Sequence, residues 1–199
     1  MIIINSRALS GILCYVALFF ATTAFAQTNI AIKKGYHGMV EIGTSTVNGQ
    51  VQEGFIKGPN DKYEKDQMLP GEMVRLSTVH GYAWGNGLFL GAGVGWDFEL
   101  VNSAQYASIF AAAKYNIKDA AASPFIEGRT GYRICTNAYR YDTSGTFVSF
   151  ATGVDFGNAA IRLGYEYCPI RQNYRADIGG LHRYYYTMNQ FFFSAAFHF

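Results

Sequence analysis

The sequence has little proline, almost no net charge and only one long apolar run. Four of its 199 residues are proline. After residue 26, no apolar run reaches the roughly 20 residues that a membrane-spanning helix needs, so helical spans are excluded from that part of the chain. Sixteen Lys and Arg nearly balance 14 Asp and Glu, for a net charge of +2, which gives no support to a nucleic-acid partner.

Glycine and aromatic residues are abundant instead. The chain has 22 Gly, 15 Tyr and 16 Phe, and its mean hydropathy is close to zero. The interior of a small β-barrel is crowded and favours small residues, whereas its outer surface favours aromatic rings. The length after residue 26 is that of one domain.

The first 26 residues have the pattern of a cleaved secretory signal peptide. Arg7 precedes an apolar core at residues 11–20, and Ala24, Phe25 and Ala26 form an A-x-A site before Gln27. We expect cleavage between Ala26 and Gln27. A retained anchor helix would need a longer apolar run. A lipoprotein is disfavoured because Cys14 lies inside the apolar core. A short lead at residues 27–35 follows.

The last ten residues alternate with period two, which is typical of a strand. One face is apolar and the other is mixed. Ten residues are enough for a tilted strand to cross a bilayer. The apolar face carries Phe191, Phe193, Ala195, Phe197 and Phe199, and the mixed face carries Gln190, Phe192, Ser194, Ala196 and His198.

The same alternation predicts seven further strands. They are expected at residues 36–44, 72–84, 88–99, 107–117, 124–134, 146–156 and 159–170. Short turns at 85–87, 118–123 and 157–158 alternate with longer loops, among them 45–71, 136–145 and 171–187. Short turns on one side and long loops on the other are typical of a membrane barrel. The fold class is therefore all-β, with residues 36–199 forming an eight-stranded antiparallel up-and-down transmembrane barrel.

The two predicted faces differ in charge. The large apolar face is almost uncharged, although His80 falls on it, whereas the other face collects small residues and ionisable groups. Isolated charges inside a barrel would be costly, so we expect a structural network of ion pairs that fills the lumen. A gated ion path or a catalytic carboxylate is the alternative. The predicted lumen charges are Glu41, Arg75, Asp97, Glu99, Lys114, Glu127, Arg129, Arg133, Asp155, Arg162 and Glu166.

The last strand and the strand layout resemble the small outer-membrane barrels of the OmpA/OmpX type. In that family the aromatic residue at the C-terminus, here Phe199, is part of the signal read by the barrel-assembly machinery. The resemblance implies a porin-like, monomeric barrel of the Gram-negative cell envelope, located in the outer membrane among its lipids. It also implies a structural or surface-interaction role without enzyme activity, cofactor or bound metal.

Three other functions stay open at this stage. A narrow passive pore would use the lumen. A lipid-modifying enzyme would use a serine, a histidine and a carboxylate at the lipid-facing rim, but no such signature is found around Ser77, Thr78 and His80. A soluble ligand-binding barrel would carry its apolar face inside.

Tyr174 and residues 184–186, all tyrosine, could contact an extracellular protein or glycan, or simply pack.

Two cysteines remain after the signal peptide. In an oxidising compartment an even pair favours a disulfide, and Cys135 and Cys168 have the same inward parity near the outer rim. A bridge between them would have to cross the strand that lies between their own strands, about 10 Å in all.

Overall fold

The alternation of apolar and small or polar residues produces eight strands, which close into an antiparallel barrel. The structure is a computed structural model, and it describes residues 34–56, 71–101, 103–118, 120–137, 141–175 and 181–199. The strands are β1 (Gly35–Ile56), β2 (Gly71–Ala83), β3 (Leu88–Glu99), β4 (Gln105–Asn116), β5 (Ser123–Cys135), β6 (Tyr141–Asp155), β7 (Ala159–Arg175) and β8 (Leu181–His198).

Each strand pairs with the next one along the chain, and β8 pairs back with β1. The prediction of an all-β, eight-stranded, up-and-down antiparallel barrel is confirmed. Closure gives backbone N–H and C=O groups a partner on both sides of each strand along the paired length. The last residue takes part as well, because Phe199 and Gly38 exchange two backbone hydrogen bonds of 2.9 Å. Among the residues that the structure describes, no helix is long and apolar enough to span a membrane.

Short connections join the strands at one end of the barrel. The β2–β3 turn uses Gly85 (φ 79°) and Gly87 (φ 88°), and the β6–β7 turn uses Gly157 (φ 87°). These positive φ values are in a region that side chains with a Cβ disfavour, which explains glycine there. We call this end the short-turn end; the start of β1 and the end of β8 lie there too.

The outer surface of the barrel is apolar. Val94, Ile109, Phe150 and Phe191 are between 53% and 68% exposed, and many other large apolar side chains share this face. A soluble protein rarely exposes so extensive an apolar surface. Several of its aromatic residues lie near the two ends: Tyr36, Tyr82, Trp84, Tyr115 and Phe199 at the short-turn end, and Trp96, Tyr132 and Tyr167 toward the other.

Four strands are longer than the sequence pattern predicts. The predicted loop at 45–71 begins as strand, since β1 continues to Ile56. The predicted loops at 136–145 and 171–187 are also largely strand, because β6 starts at Tyr141, β7 runs to Arg175 and β8 starts at Leu181. Strands that stay paired satisfy each other's backbone groups whether or not their outer face is apolar, so pairing outlasts the alternation.

These continuations form what we call the outer extension: residues 48–56 of β1, 141–143 of β6, 171–175 of β7 and 181–189 of β8. Its strands are neighbours in the barrel order β6, β7, β8, β1. One irregularity occurs between Val51 and Glu53, where the pairing of β1 with β8 shifts. The pairing of β1 with β2 ends at Val47 and Gly71.

Several predictions concern residues that the structure does not describe. The signal peptide at 1–26, the cleavage site between Ala26 and Gln27, and residues 27–33 of the lead all lie outside the described residues. The same holds for residues 57–70, 138–140 and 176–180 of the connections.

Candidate functional site: the barrel interior

The eleven predicted lumen charges all lie on the inward face. Nine of them are buried, while Arg75 and Arg129 are partly buried, with 20% and 9% of their side chains exposed. At least ten of the eleven take part in ion pairs among the described residues. Glu99 is buried near the start of β2, where its Oε1 would lie 3.0 Å from a Cβ on Gly71.

Four of these residues form a ring of alternating charge, which we call the outer ring. Arg133 contacts Asp97 (Nη2–Oδ2, 2.7 Å) and Glu166 (Nη1–Oε1, 2.6 Å). Arg75 contacts the other oxygens of the same acids, Asp97 Oδ1 at 3.2 Å and Glu166 Oε2 at 2.8 Å. Each arginine therefore bridges both carboxylates, and the ring has no net charge.

A second ring of the same kind lies deeper, and we call it the inner ring. Arg129 contacts Glu41 (Nη1–Oε2, 2.5 Å) and, through Nε, Glu127 Oε1. Arg162 contacts Glu41 Oε1 and, through Nη2, Glu127 Oε1 at 2.9 Å. The hydroxyl of Ser77 donates to Glu41 Oε2 at 2.5 Å. Two bases again face two acids, so the buried charges compensate one another.

The third group lies at the short-turn end. Lys114 Nζ is 2.5 Å from Asp155 Oδ2, and Asn116 donates to the same oxygen at 3.4 Å. The other oxygen, Oδ1, accepts the backbone N–H of Gly157 at 2.9 Å, which ties the β6–β7 turn to the lumen. His198 Nε2 is 3.7 Å from Asp155.

Each of the five bases also lies over a phenylalanine ring. Phe192 lies between the two rings of charge, with Arg75 at 5.1 Å and Arg162 at 5.6 Å from its centroid. Such contacts add cation–π attraction to the ion pairs. The remaining pairs are Arg129 over Phe110 at 4.9 Å, Arg133 over Phe147 at 5.1 Å and Lys114 over Phe125 at 4.9 Å.

Inward-facing glycines make room for these rings. A Cβ on Gly93 would lie 2.7 Å from the Phe110 ring, and one on Gly164 would lie 2.4 Å from the Phe192 ring. The sequence pattern alone predicts no role for these phenylalanines. A signal for them exists, because large aromatics on a face otherwise made of Gly, Ala, Ser and charges need both space and a cationic neighbour.

The free space between the two rings of charge is small. Between the two rings lies a cavity of about 30 Å³, lined by side chains of both, among them Glu41, Arg75 and Arg162. This volume holds about two water molecules. A buried apolar cluster also occupies the lumen, and its members toward the outer end are Val47, Met73, Tyr106, Phe147, Cys168, Ile170 and Met188.

Cys135 and Cys168 are both free thiols, so the predicted bridge is not formed in the structure. Ile134 pairs with Ser144, and Ser144 with Arg171, which places Cys135 about four residues from Cys168 along β7. That offset is on the order of 13 Å along the strands, in addition to the width of β6. A disulfide spans Cα atoms no more than about 7 Å apart.

The outward-facing His80 keeps its predicted face without a change of register, since it pairs with Gly38 on one side and Ala92 on the other. Its ring nitrogens contact the hydroxyls of Tyr36 (Nδ1, 2.6 Å) and Thr78 (Nε2, 3.0 Å). Ser77 points to the opposite side of the wall, toward Glu41. The described part of the chain holds no group of three His, Cys, Asp or Glu side chains placed to bind a metal ion.

The sequence matches no family model and no curated protein. Solved structures do match. The outer membrane protein OprG from Pseudomonas aeruginosa superposes with a TM-score of 0.52 at 10% identity, covering 86% of this chain and 99% of OprG. The outer membrane protein AlkL, solved in DMPC bilayers, gives a TM-score of 0.50 at 12% identity, covering 87% of this chain and 96% of AlkL. The chain has the fold of the small eight-stranded outer-membrane barrels. At these identities the likeness concerns the fold alone.

Proposed function

We propose that this protein is an integral outer-membrane barrel that neither conducts nor catalyses, and that acts through its outer extension on a partner outside the cell. The observation that carries the proposal is a contrast between the two parts of the barrel. The lumen is filled by ion pairs, phenylalanine rings and an apolar cluster. The outer extension, in contrast, continues four strands beyond their shorter neighbours.

Location in the outer membrane is supported by the apolar outer surface and by the fold shared with OprG and AlkL. Short turns of such barrels face the periplasm, so the outer extension would face the exterior. We propose insertion by the barrel-assembly machinery through β8, which is followed by the exposed Phe199, and a monomer surrounded by lipid.

The packing of the lumen weighs against a passive pore. A cavity for only about two waters between rings of paired charge leaves little room for an aqueous path at that level of the barrel. We expect the purified protein to give no conductance steps in planar lipid bilayers. Reproducible steps that scale with protein concentration would favour the pore instead.

The arrangement at His80 weighs against a lipid-modifying enzyme. Thr78 lies at Nε2, but Nδ1 contacts the phenol of Tyr36 and not a carboxylate, and Ser77 lies behind the wall. We expect that lipid A incubated with the protein keeps its acyl chains, as read by mass spectrometry. Loss or gain of an acyl chain that depends on His80 would overturn this part of the proposal.

Partner binding is tested with outer-membrane vesicles. Vesicles that carry the protein should adhere to surfaces coated with host proteins or glycans more than vesicles without it. The triple variant Tyr184→Ser, Tyr185→Ser, Tyr186→Ser should reduce adhesion, because these residues belong to the β8 part of the outer extension. Tyr115→Ser, at the short-turn end, is the control. Equal adhesion of vesicles with and without the protein would contradict the proposal.

A further inference from the structure

A polar patch interrupts the apolar surface at the short-turn end. It consists of Lys34, Tyr36, Thr78, His80 and Phe199, and we call it the Tyr36 patch. These residues lie at the start of β1, near the end of β2 and after β8, so closure of the barrel brings them together. Polar side chains are rare on a wall that faces acyl chains, and they need hydrogen-bond partners there.

The donors and acceptors of the patch can be assigned in order. The hydroxyl of Thr78 donates to the backbone carbonyl of Met39 at 3.1 Å. Its oxygen can therefore accept the Nε2–H of His80, at 3.0 Å, and Nδ1 then accepts the hydroxyl of Tyr36, at 2.6 Å. This order satisfies both nitrogens of a neutral imidazole.

This assignment of donors and acceptors determines which group of the patch remains free to bind a ligand. The only proton of the Tyr36 hydroxyl is used on His80, so its oxygen is left as an acceptor. Tyr36 is 67% exposed, so the acceptor is within reach of a lipid headgroup. A ligand that binds there must supply an N–H or O–H donor, and an ammonium group makes the strongest such bond.

Aromatic surface surrounds this acceptor. The rings of Tyr36 and His80 are stacked with centroids 6.0 Å apart, and Phe199 meets His80 edge-on at 5.9 Å. Phe199 lies across Gly38, where a Cβ would be 2.5 Å from its ring. Aromatic faces attract ammonium groups, which adds to the hydrogen bond.

The cation of the patch, Lys34, lies at the rim. Lys34 is exposed, and its Cβ is 3.3 Å from the place that a Cβ on Gly85 would occupy, so it lies next to the β2–β3 turn. In the opposite direction, toward the middle of the wall, the outward face of β1 continues to the exposed, apolar Val40. The cation, the acceptor and the aromatic rings thus all lie at the rim, and the aliphatic wall continues from them toward the middle of the barrel.

We propose that the Tyr36 patch binds one ethanolamine glycerophospholipid of the periplasmic leaflet. Its ammonium donates to the Tyr36 oxygen and lies against the aromatic rings, its phosphate pairs with Lys34, and its acyl chains follow the wall past Phe199 and Val40. The proposal rests on the outer-membrane orientation given above. A choline headgroup has no N–H to donate, and a glycerol headgroup has no cation for the rings, so both should bind less well.

The test is native mass spectrometry of the whole barrel in detergent with equal amounts of ethanolamine, choline and glycerol phospholipids. We expect one retained ethanolamine lipid, with the other two held about tenfold less. Tyr36→Phe removes the acceptor oxygen and should abolish the preference, while Lys34→Gln should weaken retention of all three lipids. Tyr115→Phe and Lys118→Gln, exposed residues at the same end of the barrel, are the matched controls.

Equal retention of the three lipids by the unchanged protein would overturn the proposal, and so would an equal loss in the control variants. Lys34 precedes β1, so its variant tests the patch even if Tyr36→Phe fails to fold. Each sample is also run unboiled on a gel. A folded band without lipid preference rejects the Tyr36 patch alone, whereas absence of a folded band rejects the membrane barrel and the patch together.

Discussion

At the scale of single residues, the barrel depends on contacts between strands that no single strand reveals. Each buried base meets one or two carboxylates and a phenylalanine ring, and the glycines of neighbouring strands leave the space for those rings. The sequence alone indicates which residues face inward. It does not indicate which acid meets which base, because Glu41 and Arg162 are 121 residues apart.

Glycine at the inward positions of β5 is predicted to be required. A Cβ on Gly131 would lie 2.3 Å from the carbonyl oxygen of Ile109 and 2.6 Å from Cβ of Phe110. Gly131→Ala should therefore lower the free energy of unfolding by about 1–3 kcal/mol, measured by urea titration in detergent. Gly128→Ala on the same strand has no contact closer than 3.9 Å and should change it little. Equal effects of the two variants would contradict this packing.

The pair formed by Lys114 and Asp155 permits a test of charge compensation. Asp155→Asn keeps the acceptor for Gly157 but leaves the buried Lys114 without its counterion, which should cost about 3–5 kcal/mol of unfolding free energy. Adding Lys114→Met removes the stranded charge and should restore much of the loss. If the double variant is no more stable than Asp155→Asn, the pair is not coupled as described.

At the scale of strands, the alternation of the sequence was sufficient where both faces have a distinct environment. The bounds of β3 were predicted without error, because Leu88 to Glu99 alternates throughout between lipid and lumen. The prediction failed for β1, which continues from Ser45 to Ile56. Beyond the apolar band the outer face no longer has to be apolar, so the alternation ends although the strands stay paired.

The assignment of the outer and inner faces along β3 is tested by introducing an arginine at two positions, one near the middle of the wall and one near its edge. Val94 lies mid-strand on the outer face and is 53% exposed, whereas Leu100 follows the end of the strand. Val94→Arg should cost about 2–4 kcal/mol and impair assembly, while Leu100→Arg should cost about 0–1 kcal/mol. The amount of heat-modifiable protein in membranes measures both. Normal assembly of the Val94 variant would mean that this face does not contact lipid.

The register of β5, β6 and β7 predicts free thiols. In the folded, secreted protein, Cys135 should react with a maleimide–polyethylene glycol reagent, because it is partly exposed, and the buried Cys168 should not. Both should react after unfolding without a reductant. If neither reacts after unfolding, the two cysteines are bridged and the outer end of the barrel differs from the one described.

At the scale of the whole molecule, the barrel combines a filled interior, a lipid-facing wall and an outer extension of four strands. The filled interior and the apolar wall were predicted from the sequence, because both follow from period-two patterns of charge and apolarity. The outer extension was not predicted, because it depends on pairing between strands that are distant in sequence, such as that of Gly54 with Tyr184. The Tyr36 patch was not predicted from the sequence either, because its residues meet only when the barrel closes and β8 lies beside β1.

We propose that the chain forms a closed barrel in the outer membrane. The most direct test of this proposal is gel mobility of the protein extracted from separated outer-membrane and periplasmic fractions, with and without boiling. The account predicts a band in the outer-membrane fraction that migrates differently when unboiled, because a closed barrel resists the detergent until heated. A periplasmic band with no change on boiling would contradict the account, since the apolar surface would then have to be covered by something other than lipid.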